Sequence, residues 1–184
     1  AAPSMIITST IESGTTTNNA PIVLTFTATE AIFDFQAEDI SFNRGTLTAF
    51  DGSGSVYTAT FTPTIQGAYT INVPASAYTD ASSNNNTTAA DFTFNFDAAP
   101  TMEITSTIDS GATTKNASIV LTFTASEAIF DFQAVDISFN RGALTAFDGS
   151  GSVYTATFTP AGQGEYIINV PVGAYTDASN NNNT

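Results

Sequence analysis

The chain has 184 residues, seventeen of them Asp or Glu and three Lys or Arg, for a formal charge of −14 near neutral pH. That imbalance argues against a nucleic acid or an anionic lipid surface as partner, because phosphates are bound by Lys and Arg that displace counterions. With neither Cys nor His present, disulfides, thiolate metal sites, a cysteine nucleophile and an imidazole base are all excluded.

No apolar run approaches the length that spans a bilayer, so membrane insertion is not expected. The 42 % of hydrophobic residues, with fifteen Phe, is enough to build packed cores. Shifting the sequence by 97 residues aligns 1–87 with 98–184 without a gap, and only 16 of those 87 pairs differ. A repeat of that size means two copies of one domain, 1–97 and 98–184, and not a solenoid of short units.

In chain order, the first copy predicts strands near 4–9, 21–28, 31–35, 39–43, 46–50, 55–62, 68–74 and 89–96. The basis is a period of two. Ile22, Leu24 and Phe26 share one face while Val23, Thr25 and Thr27 share the other. Tyr57, Ala59 and Phe61 alternate with Thr58 and Thr60, and Phe92, Phe94 and Phe96 with Thr93 and Asn95. These β-branched and aromatic residues suit a pleated, half-buried surface. Asn43-Arg44-Gly45, Asp51-Gly52-Ser53-Gly54 and the stretch from Pro63 to Gly67 are turn signals. The only helical signal is a single turn at Gln36–Asp39.

Seven or eight short strands in about 97 residues predict an all-β fold of two tandem immunoglobulin-like β-sandwiches. Tyr69, just after Gly67, and its counterpart Tyr166 fit a tyrosine corner, in which the hydroxyl ties back to the preceding loop. Arg44 and Arg141 are expected to be solvated at a hairpin tip.

Several stretches resemble the bacterial Ig-like repeats of giant cell-surface adhesins, of the biofilm or gliding-motility type. They are "TATEAIFDFQAEDISFNRGTLTAF", "YTATFTPTIQGAYTINVP", "AYTDASSNNNT" and the linker "FDAAPTMEI". In place of the Gly usual in the "D-x-x-G-N" loop of such repeats, this chain has Asn runs at 84–86 and 180–183. The resemblance implies an extracellular location at the bacterial surface. It also implies a mechanical role, a stalk projecting a distal binding domain, with neighbouring repeats of the same polypeptide or filament as its partners.

Residues 88–97 have no counterpart in the second copy, whose final strand is therefore missing from the given sequence. Losing one core Phe costs about 3–5 kcal/mol, against a whole-domain stability of about 5–15 kcal/mol. The second copy is thus expected to expose an apolar groove. Either the strand lies in sequence beyond the 184 residues or another subunit donates one, as in a donor-strand-complemented filament.

Catalysis is not expected, since the carboxylates come with no Cys nucleophile, no imidazole and no Gly-rich phosphate loop. Calcium is the one cofactor the residues support, because it takes hard oxygen ligands. Asp97 in the linker, Glu127 at a strand end, and Asp177 with Asn181 in one loop are expected to converge at one pole of a sandwich. Glu30, Asp80 and Asn84 form the equivalent first-copy set. A carbohydrate- or protein-binding module acting through the Asn-rich loops is the alternative. It needs exposed aromatics at loop tips, where only Tyr78 and Tyr175 stand near. Asn86-Thr87-Thr88 and Asn116-Ala117-Ser118 match a glycosylation sequon.

Overall fold

The computed structural model describes residues 1–184. The chain divides into two compact units, Ala1–Ala98 and Ala99–Thr184. In the first unit, β1 (Met5–Ser9), β3 (Ile22–Ile32) and β5 (Thr46–Thr62) form one sheet in the order β1-β3-β5. The second sheet has the order β2-β7-β6-β4, from β2 (Thr15–Thr17), β7 (Phe92–Phe96), β6 (Gly67–Asn72) and β4 (Ser41–Phe42).

Neighbouring strands run antiparallel except β2, which lies parallel to β7 with Thr15 opposite Phe94. The two inner faces share one core. Met5, Leu24, Phe26, Ala59 and Phe61 come from the first sheet, and Tyr69, Ile71, Phe92 and Phe94 from the second. On the outer face of the first sheet, Thr8, Thr25 and Thr58 stand in one row across the register. This is the alternation the sequence predicts.

The segment β5 folds back on itself. Seventeen residues drawn straight would reach roughly 56 Å at about 3.3 Å per residue. Yet a Cβ placed on Gly45 would lie 2.9 Å from the Thr62 carbonyl oxygen. The rings of Phe50 and Tyr57 stack with centroids 5.7 Å apart. Its two arms therefore account for the expected strands 46–50 and 55–62. Gly52 makes the reversal, with φ +143° and Tyr57 Cα only 2.5 Å from where a Cβ would sit.

Two expectations need correction, and one strand is additional. The strand expected at 31–35 does not form, because β3 runs on to Ile32 and the chain then leaves the sheet. The strand expected at 39–43 shrinks to the two residues of β4, after a 3₁₀ turn at Ala37–Asp39. That turn matches the helical signal, and the Asp39 carboxylate caps it by accepting from the Gln36 N–H at 2.7 Å. The strand β2 was not expected, since three threonines give no alternation to read.

The second unit repeats this plan with β8 (Met102–Ser106), β9 (Ile119–Ile129), β10 (Ser138–Phe139), β11 (Ala143–Thr159) and β12 (Ile168–Asn169). No strand corresponds to β2 or β7. Where β6 has six residues, β12 has two. Tyr166, Ile168, Val170, Met102 and Ile104 are only partly buried, whereas Tyr69, Ile71, Val73, Met5 and Ile7 are buried. The rest of the core is kept, with Leu121, Phe123, Tyr154, Phe158 and Tyr175 all enclosed.

Candidate metal centre

Asp177 begins the loop that in the first unit begins at Asp80, and both carboxylates are buried. The Asp177 Oδ1 accepts from the Ser179 and Asn181 N–H groups at 2.8 and 2.9 Å, and its Oδ2 accepts from the Asn181 side-chain amide at 2.8 Å. Asp80 makes the same bonds with Ser82 and Asn84, at 2.8, 2.9 and 2.7 Å. The Asn84 side-chain bond, followed by its backbone bond, holds the Asp80 carboxyl below its ordinary value of 3.8. The left-handed residue that closes this loop is Ser83 at φ +61° in one unit and Asn180 at φ +62° in the other. That is the place of the Gly in the related loop pattern.

The loop is fastened to the sandwich from two sides. Asp80 bridges to Ile32 and Asp177 to Ile129, which sets the loops beside the ends of β3 and β9. Asn86 is 3 % exposed and has both ends of its amide engaged. Its oxygen accepts from the Ala77 and Tyr78 N–H groups at 2.7 and 2.9 Å, and its nitrogen donates to the Pro74 and Thr87 carbonyls at 2.8 and 2.9 Å. Asn183 plays the same part. Asn86 and Asn183 are thus internal fasteners, while Asn85 and Asn182 beside them are exposed, and the sequon at Asn86 is closed to modification. Asn116 is exposed. Sequence reasoning missed the Asn86 role, for which burial is the only signal.

Tyr78 and Tyr175, the aromatics nearest these loops, are each 1 % exposed, so neither offers a ring to a ligand. The Asn-rich loops therefore lack the exposed aromatics that a binding role for them requires.

Of the residues expected to hold calcium, Asp97, Glu127 and Asp177 each place a carboxylate oxygen within 4.8 Å of the other two. Asn181 is bonded to Asp177 as above. Asp97 Oδ1 also accepts from the Gln66 side-chain amide at 2.8 Å. In the first unit Asp80 and Asn84 meet and Glu30 is exposed on β3. Three like charges so close repel one another. A donor set made only of hard oxygens, from carboxylates and the Asn181 amide, fits a hard divalent cation such as calcium and not a soft one.

A sequence model of a family described as bacterial Ig-like domain matches residues 1–96 and 97–184, and Asp97 opens its second match. No curated protein matches the sequence. Among solved structures, invasin, described as a bacterial integrin-binding protein, is 14 % identical with a TM-score of 0.37. That comparison covers 89 % of this chain and 36 % of invasin, so the chain spans about a third of its length.

Proposed function

Because the chain belongs to the bacterial Ig-like domain family, which matches it from end to end, we propose that it is a structural repeat of an extracellular bacterial adhesin or filament. Its role is to carry a binding domain away from the cell. The observation that supports this is the pairing of two separate sandwiches whose sequences differ at 16 of 87 aligned positions. A stalk gains reach from repetition and needs no individuality in its units. The reading is non-catalytic, and it places the protein at the cell surface.

Single-molecule pulling between the two ends tests the mechanical role. Two separate unfolding steps are expected, one per unit, and a single cooperative step would remove the ground for it. Antibody labelling of intact cells tests the location.

Calcium belongs to the same proposal. Asp97, Glu127, Asp177 and Asn181 would hold it, and the ion would offset the repulsion among the three carboxylates. A ligand that binds only the folded form raises the melting temperature as its concentration grows. Calcium at millimolar concentration should therefore raise the Tm of the wild-type chain and leave that of Glu127→Gln unchanged. Equal behaviour of the two would sink the calcium part while leaving the stalk untouched.

A further inference from the structure

A cleft of about 430 Å³ in the first unit is lined by Phe33, Phe50, Asp51, Gly52, Ser53 and Gly54, among others. The second unit has the same cleft, about 480 Å³, with Phe130, Phe147, Asp148, Gly149, Ser150 and Gly151. Every lining position is identical between the repeats, although the repeats differ elsewhere.

Phe33 is 74 % exposed and Phe130 is 72 % exposed. A bare aromatic ring adds nothing to either core and is unfavourable in water. A spacer has no need of one, yet both units keep it in the same place. Beside it lie a carboxylate, a serine hydroxyl and the backbone of two glycines. Gly54 has no atom within 4 Å of where a Cβ would stand, so the space beside its Cα is open.

We propose that each cleft binds a neutral saccharide. The apolar C–H face of a pyranose ring lies against Phe33 or Phe130, and its hydroxyls bond the carboxylate of Asp51 or Asp148 and the hydroxyl of Ser53 or Ser150. The volume lies in the range of small-ligand sites, about 300–1,000 Å³.

Charge and ring geometry narrow the class. An acidic sugar is repelled by Asp51 and by the charge of −14. An organic cation needs ring faces turned toward it. Here Phe35, Phe50 and Tyr57 spend theirs on one another, edge-on at 5.5 and 5.3 Å and stacked at 5.7 Å. One exposed ring next to hydrogen-bonding groups suits a sugar, which is apolar on its face and polar around its edge. Each open cleft binds weakly, and repeated clefts on one chain add avidity. This activity goes beyond the stalk role and stands or falls separately from it.

The test is a glycan array carrying neutral and sialylated oligosaccharides, probed with the labelled 184-residue chain. Binding is expected on neutral glycans, with at least a fivefold weaker signal on their sialylated forms. Phe33→Ala/Phe130→Ala should lose at least fivefold in binding while its unfolding curve overlays the wild type, because the removed rings are exposed. Asp51→Asn/Asp148→Asn should weaken binding to the same glycans. No binding to any neutral glycan, or undiminished binding by the Phe double variant, overturns the proposal.

Discussion

The guanidinium carbon of Arg44 lies 4.8 Å from the centroid of the Tyr69 ring, and Arg141 stands at the same distance over Tyr166. Arg44 Nη2 also donates to the Ala68 carbonyl at 2.7 Å. Arg44 is partly buried by these contacts, contrary to the expectation of a solvated turn residue, whereas Arg141 makes the same ring contact while staying exposed. The Tyr69 hydroxyl accepts from the Thr64 and Ile65 N–H groups at 3.0 and 3.1 Å and donates to the Ile65 carbonyl at 2.7 Å. That is the tie-back expected of a tyrosine corner. Arg44→Ala loses a cation–π contact of about 0.5–1 kcal/mol and a charge-assisted hydrogen bond. Tyr69→Phe strands two N–H groups, at about 1–3 kcal/mol for a group left unsatisfied. Both variants should lower the midpoint of denaturant unfolding of the first unit, and wild-type midpoints would refute this account of the corner.

Ser83 pays a conformational cost for its left-handed backbone that glycine would not. Ser83→Gly should stabilise the first unit by up to about 1–2 kcal/mol. Asn180→Gly should gain less, since Asn tolerates that region better than Ser. Comparing the two melting curves checks the order as well as the sign.

Asp80 gives the first unit a predictable weakness in acid. Its carboxyl titrates lower in the folded state than in the unfolded chain, where 3.8 is the ordinary value. The stabilisation is therefore complete above that value and disappears as pH falls through the lower, folded value. Amide exchange of residues 78–86 should accelerate as pH drops from about 5 to about 2, beyond the chemical dependence of exchange itself. Asp80→Asn should exchange fast throughout and show no such transition.

Tyr78 has a buried hydroxyl with no hydrogen-bond partner, and burial pushes its pKa up to about 12. Removing an unpaired polar atom costs no bond. Tyr78→Phe should be neutral or slightly stabilising, in contrast to Tyr69→Phe. A loss above about 1 kcal/mol would show that the hydroxyl has a partner after all.

The second unit should unfold first, because the apolar face around Tyr166 and Ile168 is only half covered. In the first unit the same face is covered by β7, with Phe94 opposite Tyr69 and Phe92 opposite Ile71. Fusing a second copy of Thr88–Asp97 after Thr184 should lift the lower of two calorimetric transitions toward the upper. An unchanged lower transition would mean that the added strand does not seat.

Much of this was available from residue order alone. Alternation along 22–28, 57–61 and 92–96 fixed which side chains turn inward, because a strand sends neighbours to opposite faces and no distant information is needed. The shift of 97 residues fixed the duplication, and Tyr69 after Gly67 marked the corner. The loop pairs Asp80 with Asn84 and Asp177 with Asn181 are also local, four residues apart.

The tertiary structure decided whatever depends on residues far apart in sequence. It set β2 parallel to β7, turned β5 back on itself, placed Arg44 over Tyr69, enclosed Asn86, and left Phe33 bare beside Phe35, which is buried. Period and turn chemistry act over a few residues and are written in the sequence. Which surface meets which is settled only when the sheets close over a shared core, and the cleft is a product of that closure.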